Sequence, residues 1–70
     1  MIRDTVAANL TRIREDRGMT QASLAARCGK VAARISELES GKRDVLTSTL
    51  EKLATGLDCD VRDLLEPVGL

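Results

Sequence analysis

Apolar positions recur along this chain at the three- and four-residue steps of a helix, not at the two-residue alternation of a strand. Ile2, Val6, Leu10 and Ile13 form a stripe that predicts a first helix of about fourteen residues, stopped before Gly18, where a left-handed backbone can end it. Thr20 is a natural N-cap for a second, short helix with Leu24, Ala25 and Cys28 facing inward, and Gly29 closes it. In "RCGKVAARISELESGKR", residues 27–43, the apolar residues Val31, Ile35 and Leu38 share a face and predict a third helix, closed by Ser40-Gly41. After the polar connection "KRD", Leu46, Leu50, Leu53, Ala54 and Leu57 repeat at helical spacing and predict a fourth. Asp60 and Asp63 stand in a capping-box relation ahead of Val61, Leu64 and Leu65, which predicts a last helix over residues 60–66, ended by Pro67. The expected architecture is all-α: five short, crossed helices joined by tight turns, in a single domain over residues 1–70.

Composition sharpens that picture. Seventy residues, 43% of them apolar and none aromatic, leave a thin core. A core of this size typically supplies only about 3–5 kcal/mol, so a metal, disulfides, tight packing or a partner subunit is usually needed. A metal is not expected: the chain has no His, and Cys28 and Cys59 lack a paired ligand spacing. Each cysteine falls on an apolar position and reads as a small core residue. The N-terminal "MIRDTVAANL" carries Arg3 and Asp4, and no apolar run exceeds three residues, so neither a targeting signal nor a membrane span is expected. The expected compartment is the cytoplasm. Catalysis is not expected either, because His, Tyr and Trp are absent and neither clustered carboxylates nor a glycine-rich phosphate loop is present. No cofactor is implied.

Net charge is zero, but the sum hides a gradient. Residues 1–43 carry nine Lys/Arg against five Asp/Glu, whereas residues 44–70 carry two against six. A fold that keeps these segments apart offers phosphates a cationic surface at one end and repels them at the other. The order helix, glycine turn, helix over residues 20–40 suits such a partner. Two short helices crossing steeply can place the second in a major groove about 12 Å wide.

"MTQASLAARCG", "ISELESGKR" and "LEKLATGLDCDVRDLL" together resemble the Cro/cI-type (XRE-type) helix-turn-helix family of phage repressors and bacterial regulators, over roughly residues 8–65. The resemblance implies a lambda-repressor-like five-helix DNA-binding domain with double-stranded DNA as partner. It implies that Gln21, Lys30, Lys42 and Arg43 meet the DNA backbone, that Arg14 and Glu39 form a buried structural ion pair, and that Ala32, Ala33, Arg34 and Glu37 face the bases. The chain departs from the family at Val31, where Ser or Thr is common, and at Lys30, where an apolar residue is common.

The chemistry of those readers differs. Alanine makes no side-chain hydrogen bond, but it lets a helix approach closely and can touch a thymine methyl. Arg34 can pair with guanine O6 and N7, and Glu37 can accept from cytosine N4. A dimer binding two half-sites about 34 Å apart would bind more tightly than one domain and would offset the thin core. Val61, Leu64, Leu65, Val68 and Leu70 are the apolar positions expected to form its interface. Only five residues follow Leu65, so no inducer domain and no small-molecule ligand are expected. The leading reading is a homodimeric regulator on a palindromic operator, like a Cro-like repressor or a restriction-modification controller, with RNA polymerase as a further partner if it activates. The alternative is the antitoxin of a toxin–antitoxin pair, which binds a toxin and regulates its own operon.

Overall fold

Side chains from five helices converge on one apolar cluster in the computed structural model, which describes residues 2–67 apart from the Ile2 side chain. The helices are α1 (Ile2–Asp16), α2 (Gln21–Cys28), α3 (Ala32–Glu39), α4 (Thr47–Leu57) and α5 (Val61–Leu65). Val6, Leu10 and Ile13 of α1 pack with Leu24 and Cys28 of α2, Ile35 and Leu38 of α3, Leu50, Leu53 and Leu57 of α4, and Leu64 of α5. The part of the first stripe carried by Ile2, and the positions Val68 and Leu70, lie outside the described residues.

Local chemistry sets most of the helix ends. The Thr20 hydroxyl accepts the Ser23 amide at 3.0 Å while the Ser23 hydroxyl accepts the Thr20 amide at 2.9 Å, a reciprocal box that starts α2. Gly29, at φ +67, ends α2 in the left-handed region, and the Lys30 amide folds back onto the Ala25 carbonyl at 2.9 Å. Asp60 and Asp63 make the same kind of box for α5. The Asp60 carboxyl is held below its ordinary range, first by the Arg62 backbone N–H that it accepts.

Two positions depart from the periodic reading, and both are helix starts. Val31 is the N-cap of α3, in an extended conformation and 69% exposed, rather than a member of the inward face with Ile35 and Leu38. Leu46 is likewise the N-cap of α4 and 71% exposed. The reason is geometric: an N-cap residue has non-helical φ/ψ, so its side chain leaves the helical stripe. Neither residue offers a side-chain cap.

Long-range polar contacts then lock the helices together. Asn9 is buried on α1, and its amide donates to the Leu64 carbonyl at 3.0 Å and the Glu66 carbonyl at 2.7 Å, so it holds the end of α5. Arg17 does the same for α4, donating to the Leu57 carbonyl at 2.7 Å. Helices α2 and α4 approach closely at Gly56, where a Cβ atom would stand 2.8 Å from Cys28 Sγ and 3.2 Å from Leu24 Cδ1. Leu64 is fully buried in this arrangement. That corrects its expected place in a dimer interface, because the contact of α5 with α1 and α4 uses this side chain as core.

Asn9→Ala takes the donor from the buried Leu64 carbonyl and the partly buried Glu66 carbonyl. We expect a loss of about 1–3 kcal/mol in urea unfolding, with the amide protons of α5 exchanging faster than those of α2.

Candidate nucleic-acid interface

The turn at Gly29 sends the chain through Lys30 and Val31 into α3, whose inward side holds Ile35 and Leu38. Its other sides carry Ala33, Arg34 and Ser36, all exposed, with Ala32 and Glu37 half-buried. Alanine at the exposed front keeps that surface low, so a partner can come close to the backbone of α3.

The far end of α3 is fastened to α1. Arg14 Nε donates to Glu39 Oε2 at 2.5 Å and Arg14 Nη2 donates to Oε1 at 3.2 Å, a two-point fork. Arg14 Nη1 donates to the Met19 carbonyl at 2.7 Å, and the Gln21 amide donates to Glu39 Oε1 at 3.0 Å. The side chains are 12% and 8% exposed, so the pair is nearly dry. The bond to Glu39 raises the Arg14 pKa above its ordinary value against an opposing effect of burial. Arg14 and Glu39 therefore tie α1, α3 and the start of α2 into one unit.

Ion pairing also sorts the cations. Arg3 lies 3.7 Å from Asp44, Arg12 lies 3.8 Å from Asp16, and Arg17 is committed to carbonyls at the end of α4. Arg43 Nε donates to Glu37 Oε2 at 2.7 Å, so the loop after α3 is pinned to a carboxylate on α3. Lys30, Arg34 and Lys42 make no ion pair among the described residues. Lys30 and Arg34 line one groove with Arg43, Asp44, Leu46 and Thr49 between α3 and the start of α4. Asp58, Asp60 and Glu66 are exposed around α5.

The structure thus gathers Lys30, Ala32, Ala33, Arg34 and Glu37 on and just before α3, with Lys42 and Arg43 in the loop that follows. Gln21 sits at the start of α2 with its amide turned to Glu39. Leu65 is partly exposed and Val61 is packed against the core, while Leu64 supplies no surface. Sequence reasoning missed Asn9 and Arg17, whose carbonyl partners carry no side-chain signature. It also missed the Glu37–Arg43 bond, although the charges and their six-residue spacing were available.

A short helix, a left-handed glycine turn and a second short helix held rigidly on a scaffold define a helix-turn-helix protein. The Helix-turn-helix family model (HTH_3) matches residues 10–64, and the chain belongs to this XRE-type family of DNA-binding transcription regulators. Over 66 residues it is 35% identical to an uncharacterized HTH-type transcriptional regulator, y4dJ, of Sinorhizobium fredii, covering 94% of this chain and 86% of the relative. Among solved structures, the clp gene regulator ClgR from C. glutamicum is similar with a TM-score of 0.89 and 31% identity, over 93% of this chain and 84% of that one. The restriction-modification controller protein C.AhdI from Aeromonas hydrophila is similar with a TM-score of 0.84 and 31% identity, over 89% of this chain and 94% of that one. No helix among the described residues is long and apolar enough to cross a membrane.

Removing one member of the nearly buried pair leaves the other charge without its partner. Arg14→Ala is expected to cost about 3–5 kcal/mol in denaturant melts, and Arg14→Met combined with Glu39→Leu is expected to recover most of it.

Proposed function

We propose that this regulator binds a palindromic operator as a homodimer, each protomer laying α3 in the major groove of one half-site. It then acts in the cytoplasm on transcription, in the manner of a Cro-like repressor or a restriction-modification controller. The observation that carries the reading is the composition of the face around α3: Lys30, Arg34 and Lys42 make no ion pair among the described residues and stand beside a low alanine front, on a helix fastened by Arg14 and Glu39. Free cations beside a surface of close approach suit a polyanion whose base edges lie at the bottom of a groove.

In this reading Arg34 and Glu37 supply discrimination, and Ala32 and Ala33 allow close approach. Lys30, Lys42 and Arg43 meet phosphates. Arg43 uses Nε on Glu37 and keeps both Nη groups for a phosphate, which offsets the repulsion that a lone carboxylate would meet there. Gln21 reaches a phosphate by exchanging its bond to Glu39. The dimer forms through Leu65 and Val61 of α5, with Val68, which lies outside the described residues, as a further interface position. The similarity to a restriction-modification controller protein supports a small regulator, with RNA polymerase as a further partner if it activates.

Selection of bound sequences from random duplex DNA is expected to enrich a palindrome, with affinity falling steeply as salt rises because neutralised phosphates release counterions. Arg34→Ala is expected to lose about 1–3 kcal/mol on the selected site and much less on random DNA. Equal losses on both would make Arg34 a phosphate contact. A flat salt dependence with no enriched sequence would remove the DNA reading.

A further inference from the structure

Val31 and Leu46 are the N-caps of two different helices, and the same departure occurs at both. Each stands where Ser, Thr, Asp or Asn would stabilise the helix start, each has an extended backbone, and neither makes a side-chain cap. Each also leaves a large aliphatic side chain in water, 69% and 71% exposed. These two exposed residues line one groove, together with Lys30, Arg34 and Thr49. An occupant must therefore be apolar where it meets Val31 and Leu46 and anionic where it meets Lys30 and Arg34.

A duplex DNA strand has both properties on one edge of the major groove. Its phosphates face cations, and the 5-methyl group of thymine is the apolar group that a base pair presents there. We propose that this groove is a specificity subsite, in which Val31 and Leu46 together contact the 5-methyl group of a thymine at the edge of the half-site. The proposal rests on the DNA-binding reading above and adds residues that the base-facing surface of α3 alone does not include. It gives the two missing caps a common role: a hydroxyl or carboxylate at either position would stabilise its helix while removing apolar surface from the subsite. Lys30, on the rim, holds a phosphate of the strand and brings the methyl into reach, while Arg34 beside it keeps its place on a base edge.

The test begins with the sequence that the full chain selects from random DNA. Each thymine is replaced in turn by deoxyuridine, which removes only the 5-methyl group, and affinity is measured for the parent and for the Val31→Ser/Leu46→Ser double variant. One thymine per half-site is expected to cost the parent about fourfold in affinity when demethylated, the scale of one buried methyl-sized group. The double variant is expected to show no loss at that thymine. Both substitutions restore a polar cap, so its melting temperature should equal or exceed the parent's, which separates lost recognition from lost folding.

Unchanged deoxyuridine sensitivity in the double variant would overturn the proposal and assign the methyl contact to Ala32 or Ala33. Absence of any sensitive thymine in the parent would overturn it as well. So would a double variant that keeps its sensitivity but sediments as a monomer where the parent dimerises, since the groove would then lie between copies of the chain. If no sequence is enriched at all, the DNA-binding reading falls together with the proposal. An enriched site with unchanged sensitivity defeats only the subsite.

Discussion

The fork between Arg14 and Glu39 is the contact on which the rest of the interface depends. Helix α3 has eight residues and buries only Ile35 and Leu38, too little to form or hold an angle by itself. Glu39 closes its last turn, and Arg14 fixes that turn to the longest helix of the molecule. The same guanidinium reaches the Met19 carbonyl, and Gln21 reaches the same carboxylate, so the entry to α2 is set by the same two charges. The angle between α2 and α3 is thereby referred to α1 rather than left to a three-residue turn. A pair this dry contributes orientation more than stability, since desolvating both charges offsets much of their attraction.

Economy in free charge follows from the same packing. The chain has equal numbers of acidic and basic residues, and most basic residues before residue 44 are spent on internal partners. Lys30, Arg34 and Lys42, which make no ion pair among the described residues, lie on and beside α3, so a neutral protein still presents cations there. Among the acidic residues after residue 44, Asp58, Asp60 and Glu66 are exposed around α5, whereas Glu51 lies on α4. The orientation of an approaching polyanion is therefore encoded in which charges are paired, not in the net charge.

Helix order, the core stripe and three caps were legible because each has a local signature: Leu10, Leu24, Leu53 and Leu57 follow the helical period, and Thr20, Gly29 and Asp60 mark ends by their own chemistry. Val31 and Leu46 were not, because an apolar N-cap imitates the first member of the inward stripe. Leu64 and Leu65 are adjacent in a helix of five residues, too short for the period to say which one faces the core. Asn9 was invisible because its partners are backbone carbonyls 55 and 57 positions away. The Arg14–Glu39 pairing entered through family resemblance, since a 25-residue separation on two helices gives no spacing rule. At the site, the residues of α3 could be named from the sequence, but the bond that turns Arg43 toward Glu37 needed the loop's actual path.

The central claim is that the face around α3 is the surface that meets duplex DNA. Amide chemical-shift mapping during titration of the intact chain with its selected duplex tests it most directly. The predicted result is a contiguous set of shifts over Thr20–Ser23, Lys30–Glu37 and Gly41–Arg43, with the acidic stretch from Asp58 to Asp63 little changed. Shifts concentrated on α5 and the end of α4, with α3 unmoved, would contradict it.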